Sequence, residues 1–317
     1  MFFKGVDFFP HGTKLPVMEL RHYCITISWV AALASIAYLY LVGLNFGIDF
    51  KGGSLFEIQR KAGDLDVSAL RDRLNGLGIG DVQIQGLDKS NEALVRVSQQ
   101  EGGDAAQQAA ADKVKEALGS EIEIRRAEVV GPAVSNELKF WGTFAGVAAI
   151  LGIMIYVWFR FEWQFGLAAV LALLHDIIIT IGVLALLKFE FGLTEVAALL
   201  TLAGYSINDT VVVFDRIREN LRKYKKMPLV ELMNLSINET LSRTVLTAST
   251  VFLAVLALYF FGTEVIKGFS FTMLFGVLIG TWSSIFVASP FLMWIGIKRD
   301  WSGADTKPKP ASIGAKA

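Results

Sequence analysis

The chain has 317 residues, and 53% of them are hydrophobic, a share too high for an ordinary soluble domain. Lysine plus arginine and aspartate plus glutamate number 30 each, so the formal charge is zero and no nucleic-acid partner is expected. Cys24, which lies in an apolar stretch, is the single cysteine, so no intrachain disulfide can form. Composition therefore predicts a membrane protein.

Six apolar segments are long enough to cross a bilayer, which takes about 20 helical residues. The first follows residues 1–22 and has small residues inside its apolar core, not after it, so we expect an uncleaved anchor. Pro290 lies in the sixth segment, where it can kink a helix. The predicted spans are 23–44, 139–159, 163–187, 196–216, 240–263 and 268–297.

Basic residues are unevenly distributed between the short loops, and the side with more of them usually faces the cytoplasm. They are abundant before the first span, in a predicted basic loop over 217–239, and after the sixth span. The opposite short loops contain only Lys188 and Lys267. Both termini are therefore expected in the cytoplasm, and segment 45–138 outside it. The tail 298–317 is rich in lysine, alanine and proline, which predicts disorder.

Segment 45–138 is expected to fold as a small α+β domain. The alternating and helical patterns follow the order βαββαβ, which predicts a ferredoxin-like sandwich. We find no metal-ligand spacing, phosphate loop or nucleophile constellation in it, so a contact surface, a lever or a plain spacer all remain open. The predicted strands are 52–60, 82–85, 93–97 and 121–125, the last with an extension to 129–130 left open, and the predicted helices are 67–77 and 104–118.

Asp209 is the most informative residue, because a carboxylate within a membrane span costs at least ~3 kcal/mol to insert. Polar residues recur every three or four positions around it, including Tyr205 and Asn208, and they share one helical face. A second polar face in the fifth span contains Arg243, a candidate cation for this acid. The pattern favours a proton or cation path over a static ion pair, although a static pair stays open.

His175 and Asp176 form a second ionisable pair near the middle of the third span. Histidine titrates near neutral pH, which suits a proton relay. A hydrogen-bonded pair that only orients helices is an equally good interpretation. Gly142 and Gly146 in the second span permit close helix contacts and say nothing about function.

Enzymatic motifs are absent from the sequence. We find no His-Glu-x-x-His, Gly-x-Ser-x-Gly or Walker A motif, and no metal or cofactor is expected. Asp176 and Asp209 could form the dyad of an intramembrane protease, but no other feature favours that reaction. Work by this protein would therefore need an ion gradient or a partner.

The motifs resemble the SecF family of bacterial protein export, whose members are the smaller membrane partners of SecD. Five elements in the same order carry this resemblance, and they cover the chain from the first span to the sixth. They are Leu44-Asn-Phe-Gly-Ile-Asp-Phe-Lys-Gly-Gly53, Phe159-Arg-Phe-Glu-Trp163, Ala172-Leu-Leu-His-Asp176, the run 202–220 around Asp209, and Thr240-Leu-Ser-Arg-Thr244.

The resemblance implies an inner-membrane protein of the resistance-nodulation-division type, half of a twelve-span unit completed by SecD. It further implies docking on the SecYEG channel, often with YajC, and use of the proton gradient to draw unfolded preprotein to the periplasmic side. The family's intramembrane Asp and Arg fall on Asp209 and Arg243. Asp49, Gly52 and Gly53 are implied to form the junction between the first span and the periplasmic domain.

Two rival functions are retained. The first is a half-transporter of the same superfamily that moves a lipid or small molecule. The second is a scaffold that stabilises SecD without proton chemistry.

Overall fold

The structure is a computed structural model that describes residues 14–87 and 89–297. The expectations for residues 1–13 and for the tail 298–317 lie outside these ranges. Ten α-helices, four strands and one π-helical segment make up the described part of the chain. The helices are α1 (Arg21–Leu41), α2 (Ile48–Lys51), α3 (Val67–Asn75), α4 (Gly103–Leu118), α5 (Pro132–Arg160), α6 (Trp163–Leu186), α7 (Leu193–Lys223), α8 (Leu229–Phe261), α9 (Glu264–Ser283) and α10 (Ser289–Ile295). The strands are β1 (Gly53–Arg60), β2 (Val82–Gly86), β3 (Glu92–Val97) and β4 (Ile122–Val130).

Six helical spans confirm the predicted multi-pass membrane protein. They are formed by α1, α5, α6, α7, α8 and the continuous run from α9 to α10, and each is long and apolar enough to cross a bilayer. We call these spans the bundle. Helices α6, α7 and α9 lie at its centre, whereas α5 and α8 expose most of their apolar surface. This arrangement is expected where lipid tails, not water, surround a protein.

Residues 53–130, here called the sheet domain, confirm the ferredoxin-like prediction. The strands form one antiparallel sheet in the order β2-β3-β1-β4, and α3 and α4 pack on one face of it. Alternate residues of β1 and β3 point into this interface, where Phe56, Ile58 and Val95 are fully buried. The period-2 pattern in the sequence therefore has a direct structural cause.

Helices α7 and α8 extend further than the hydrophobic pattern predicted. The basic loop expected over 217–239 is mostly helical, and only residues 224–228 separate the two helices. Polar contacts hold these extensions together, because Arg216 Nε donates to Glu239 over 2.7 Å and Asn220 donates to Ser236 over 3.0 Å. A hydropathy window ends where charges begin, so it misses a helix that continues beyond the bilayer.

The sixth span is interrupted near Pro290. Residues Ser284–Ala288 form a π-helical segment between α9 and α10. Proline lacks an N–H and clashes with the carbonyl four residues earlier, so a wider turn before it relieves the clash. The irregularity expected from Pro290 is therefore present as a π segment.

Candidate functional site

Asp209 lies on α7 inside the bundle and is only 5% exposed. Its two carboxylate oxygens accept hydrogen bonds from two hydroxyl groups on different elements. Thr244 of α8 donates to Oδ1 over 2.9 Å, and Ser284 of the π segment donates to Oδ2 over 2.7 Å. The side chain of Asp209 therefore joins three membrane-embedded elements.

Asp176 lies on α6 and is completely buried. Ser206 of α7 and Ser283 of α9 donate to its Oδ2 over 2.6 and 2.7 Å, and His175 Nδ1 lies 3.0 Å from Oδ1. His175 Nε2 is buried and has no hydrogen-bond partner within residues 14–87 and 89–297. The pair thus lies at the centre of the bundle, where α6, α7 and α9 meet.

Two adjacent serines contact the two acids. Ser283 is the last residue of α9 and donates to Asp176, whereas Ser284 begins the π segment and donates to Asp209. Both hydroxyl positions depend on the same short stretch of backbone. A change in the hydrogen bonding of one acid therefore acts on the stretch that holds the other.

Arg243 does not form the ion pair that its sequence position suggested. Among the described residues, no salt bridge within 4.0 Å joins it to Asp209, and its side chain points to the exposed face of α8. It attracts the Asp209 carboxylate only at longer range. Thr244, the next residue in the sequence, points inward and takes the contact with the acid.

The polar faces of α7 and α8 are partly exposed in the bundle. Asn208, Arg243 and Thr247 are exposed, and Tyr205 is half-buried. Polar groups at membrane depth avoid lipid and instead face protein or water. This face therefore requires either a second membrane protein or a water-filled cavity next to it.

The junction residues lie between the end of α1 and the first residue of β1, Gly53. Asp49 is in α2, and its Oδ2 accepts a hydrogen bond from the Leu193 backbone N–H over 2.9 Å, at the start of α7. A carboxylate is favourable there because the first N–H groups of a helix lack helical acceptors. Gly53 has φ +128°, and a Cβ at this position would lie 2.5 Å from the Val97 carbonyl oxygen. Only glycine fits there without strain.

A second contact joins the sheet domain to the bundle. Arg96 of β3 pairs with Glu190, in the loop between α6 and α7, over 2.5 Å. Burial raises the pKa of the Glu190 carboxyl above its ordinary value, although the attraction of Arg96 acts in the opposite direction. The buried position of Glu190 therefore favours its protonated form, whereas the ion pair itself favours the carboxylate.

The sequence predicted both buried acids but missed most of their partners. Serine is common in membrane helices, so Ser206, Ser283 and Ser284 gave no distinct signal. The available clue was a pair of adjacent serines shortly before a proline in an uncharged span. No group of three or more His, Cys, Asp or Glu side chains suited to a metal ion occurs in the described parts of the chain.

Two family models match the sequence. The model for protein export membrane protein SecD/SecF, C-terminal, matches residues 110–298, and the SecD/SecF GG motif model matches residues 40–62. The chain belongs to the SecD/SecF family. The matched GG motif contains Gly52 and Gly53, two adjacent glycines with positive φ at the junction.

Curated relatives cover nearly the whole chain. The protein translocase subunit SecF of Rhodobacter capsulatus is 45% identical over 97% of this chain and 96% of its own length. The SecF subunit of Cereibacter sphaeroides is 46% identical over 88% of each chain. The protein translocase subunit SecDF of Brucella abortus is 43% identical, but this chain spans only 38% of that longer protein.

Solved structures of SecDF show the same fold. The crystal structure of SecDF from Thermus thermophilus, described as a translocon-associated membrane protein, matches with a TM-score of 0.79 and 34% identity. The match covers 90% of this chain and 39% of that one. A structure of SecDF in a "super-membrane-facing form" matches with a TM-score of 0.66 at the same coverage.

Proposed function

We propose that the protein is an auxiliary subunit of the Sec protein translocase. Together with SecD, it uses the proton motive force to promote preprotein translocation and release on the periplasmic side of the bacterial inner membrane. The names of its SecF and SecDF relatives support a role in protein translocation. The observation that carries the use of protons is Asp209, a buried acid bound by two hydroxyl groups and by no cation within 4.0 Å in the described residues.

Proton binding changes what Asp209 requires from its neighbours. As a carboxylate it accepts hydrogen bonds from both Thr244 and Ser284. As a carboxylic acid it must donate its own proton, so one hydroxyl has to rotate or move away. The contact between α7 and either α8 or the π segment therefore differs between the two protonation states.

The sheet domain is positioned to follow such a change. It is joined to the bundle by the junction after α1 and by the direct connection from β4 into α5. Asp49 also fixes the junction to the start of α7, the helix that carries Asp209. A shift of α7 would thus be transmitted to the domain, which would act as a lever on preprotein.

The exposed polar face of α7 and α8 supports SecD as the membrane partner. A bilayer offers no partners for Asn208 and Arg243, whereas a facing helix bundle does. The SecDF relatives are consistent with this arrangement, since this chain matches little more than a third of each. SecYEG, YajC and the unfolded preprotein are proposed as further partners, with both termini in the cytoplasm and no hydrolytic reaction.

Replacing Asp209 by Asn tests the proposal directly. The amide keeps the shape of the side chain but cannot cycle between charged and neutral forms, so gradient-dependent export in inverted vesicles is expected to be lost. Assembly with SecD should persist. Asp215→Asn, which removes a half-exposed acid of the same helix and its ion pair with Arg160, is the matched control and should export at the wild-type rate. Wild-type export by Asp209→Asn would refute proton coupling at this site.

Two further readouts separate proton coupling from scaffolding. A passive scaffold predicts that Asp209→Asn lowers the amount of complex without lowering activity per complex. Arg243→Lys keeps the charge and loses the planar guanidinium, so partial activity is expected. Full activity in Arg243→Ala would show that Arg243 contributes only packing and has no part in proton coupling.

A further inference from the structure

An apolar cavity of about 520 Å³ lies where the junction meets the bundle. Three phenylalanines, Phe46, Phe50 and Phe191, line it, and their ring centroids lie 6.0–6.1 Å apart. Gly142 and Gly146 of α5 form part of its wall. A Cβ at Gly146 would have no atom within 4 Å, so a larger side chain on this part of the wall has room to extend.

Two lysines, Lys51 and Lys139, also line this cavity. Both are exposed, and neither forms an ion pair within 4.0 Å in residues 14–87 and 89–297. Lys51 interacts with Glu190 only at longer range. An apolar space with two cations therefore opens at this end of the bundle.

The cavity lies at the level of a membrane boundary. Lys139 immediately precedes the apolar part of α5, where Phe140, Trp141 and Phe144 are all exposed. Exposed aromatic side chains of this kind are enriched at membrane–water interfaces. Helix α5 is also among the least buried spans, so lipid has direct access to the cavity.

We propose that this cavity binds one anionic phospholipid. One acyl chain lies between the three phenylalanines and the glycines of α5, and the headgroup phosphate lies between Lys51 and Lys139. Lipid tails gain little by leaving the bilayer for an apolar cavity, so shape holds the chain and the lysines select the headgroup. The size of the cavity is within the range of sites that hold small ligands, about 300–1,000 Å³.

A protein segment is a less suitable occupant. An apolar peptide would bring backbone N–H and C=O groups into a site whose lining offers Thr143 as its one uncharged polar side chain. An acyl chain has no such groups. The two lysines also match a phosphate, whereas an uncharged peptide leaves them unpaired.

Native mass spectrometry of the full chain, purified in mild detergent with its co-purifying partner, tests the proposal. Phosphatidylglycerol and phosphatidylcholine with identical acyl chains are added separately at equal concentration. Two lysines predict a preference of about 30-fold for phosphatidylglycerol. Lys51→Gln with Lys139→Gln should reduce phosphatidylglycerol binding to the phosphatidylcholine level, and Gly146→Leu should remove both lipids by filling the cavity.

Matched variants make the result specific. Lys225→Gln with Lys226→Gln removes the same charge at exposed positions far along the chain, and Gly152→Leu adds the same side chain to open space on the same helix. Both should bind lipid like the wild type. Equal phosphatidylglycerol binding by Gly146→Leu and Gly152→Leu would overturn the proposal. So would stable capture of an added apolar peptide in place of lipid, abolished by Gly146→Leu. Neither outcome depends on proton coupling.

Discussion

The sheet domain and the bundle place their polar groups in opposite ways. The sheet domain buries Phe56 and Ile58 and keeps most of its ion pairs, such as Arg60–Glu121, at its surface. The bundle exposes large apolar side chains such as Phe261 and buries Asp176, with its hydroxyl partners, at its centre. Water surrounds the sheet domain, whereas lipid surrounds the bundle. Burial of apolar side chains therefore stabilises the sheet domain, and hydrogen bonds between buried polar groups stabilise the bundle.

The largest expected effect tests the sheet domain. Phe56→Ala removes a fully buried ring, and such truncations destabilise a domain by about 3–5 kcal/mol. Phe261→Ala, at a bundle residue that is 91% exposed, should change stability by less than about 0.5 kcal/mol. Both changes in stability are measured by thermal unfolding of the purified protein, with limited proteolysis of the sheet domain as the readout. Equal effects of the two substitutions would contradict the comparison.

The second prediction concerns the buried acid of the bundle. Asp176→Ala leaves the hydroxyl of Ser206 without its acceptor, at a cost of about 1–3 kcal/mol for an unsatisfied group, whereas Ser283 keeps the Gly280 carbonyl within 3.1 Å. Thr201→Ala is the control, because its exposed hydroxyl only contacts its own helix at the Ala197 carbonyl. Detergent-solubilised protein should lose thermal stability in the first variant alone. An unchanged melting temperature for Asp176→Ala would show that the hydrogen bonds of this buried acid do not stabilise the bundle.

The third prediction concerns the border between the two regions. Gly53→Ala forces a Cβ into the Val97 carbonyl at a φ that suits glycine, so a destabilisation of about 1–3 kcal/mol is expected. Gly86→Ala is the control, since its backbone has no positive φ and its Cβ would meet nothing within 4 Å. Hydrogen exchange of β1 and β3 should accelerate only in the first variant. Equal protection in both would exclude strain at the junction.

The smallest expected effect is a pH dependence of the buried position of Glu190 beside Arg96. Burial raises the pKa of Glu190 and outweighs the attraction of Arg96, which lowers it, so burying this side chain favours the protonated acid. The stability contributed by the protonated acid is complete below the ordinary pKa of 4.5 and is lost as pH rises through the raised value. Exchange of loop amides 187–192 should therefore speed up as pH rises, after correction for the intrinsic exchange rate, and Glu190→Gln should remove this change. Protection that instead increases with pH would reverse the assigned sign.

The sequence predicted the sheet domain more completely than the bundle's interior. Its strands alternate with period two, and Gly119 marks the end of α4, so every strand and both long helices of this domain were predicted within a few residues. The helix α2 was missed, because four residues carry no periodic signal. In the bundle the apolar segments were evident, but the inward position of Thr244 instead of Arg243 depends on helix rotation, which packing sets.

The positions of the two buried acids could be predicted from the sequence, but their hydrogen-bond partners could not. Asp176 and Asp209 stand out in the sequence because charges at membrane depth are rare. Their serine partners, on α7, α9 and the π segment, lie 30, 107 and 75 residues along the chain from the acids that they contact. Such contacts follow from tertiary packing, so local sequence patterns do not determine them.

The π segment holds one residue more than a regular helical turn, because its hydrogen bonds span five residues instead of four. Removing one residue between Ser284 and Ala288 would therefore restore a regular helix and leave α10 in nearly its present orientation. Ser289, whose hydroxyl binds the Ser284 carbonyl over 3.0 Å, would then lie four residues from that carbonyl, the spacing at which a helical serine reaches it. The sixth span is therefore expected to tolerate the loss of one residue here, whereas a deletion within α9 or α10 would rotate everything beyond it by about 100°.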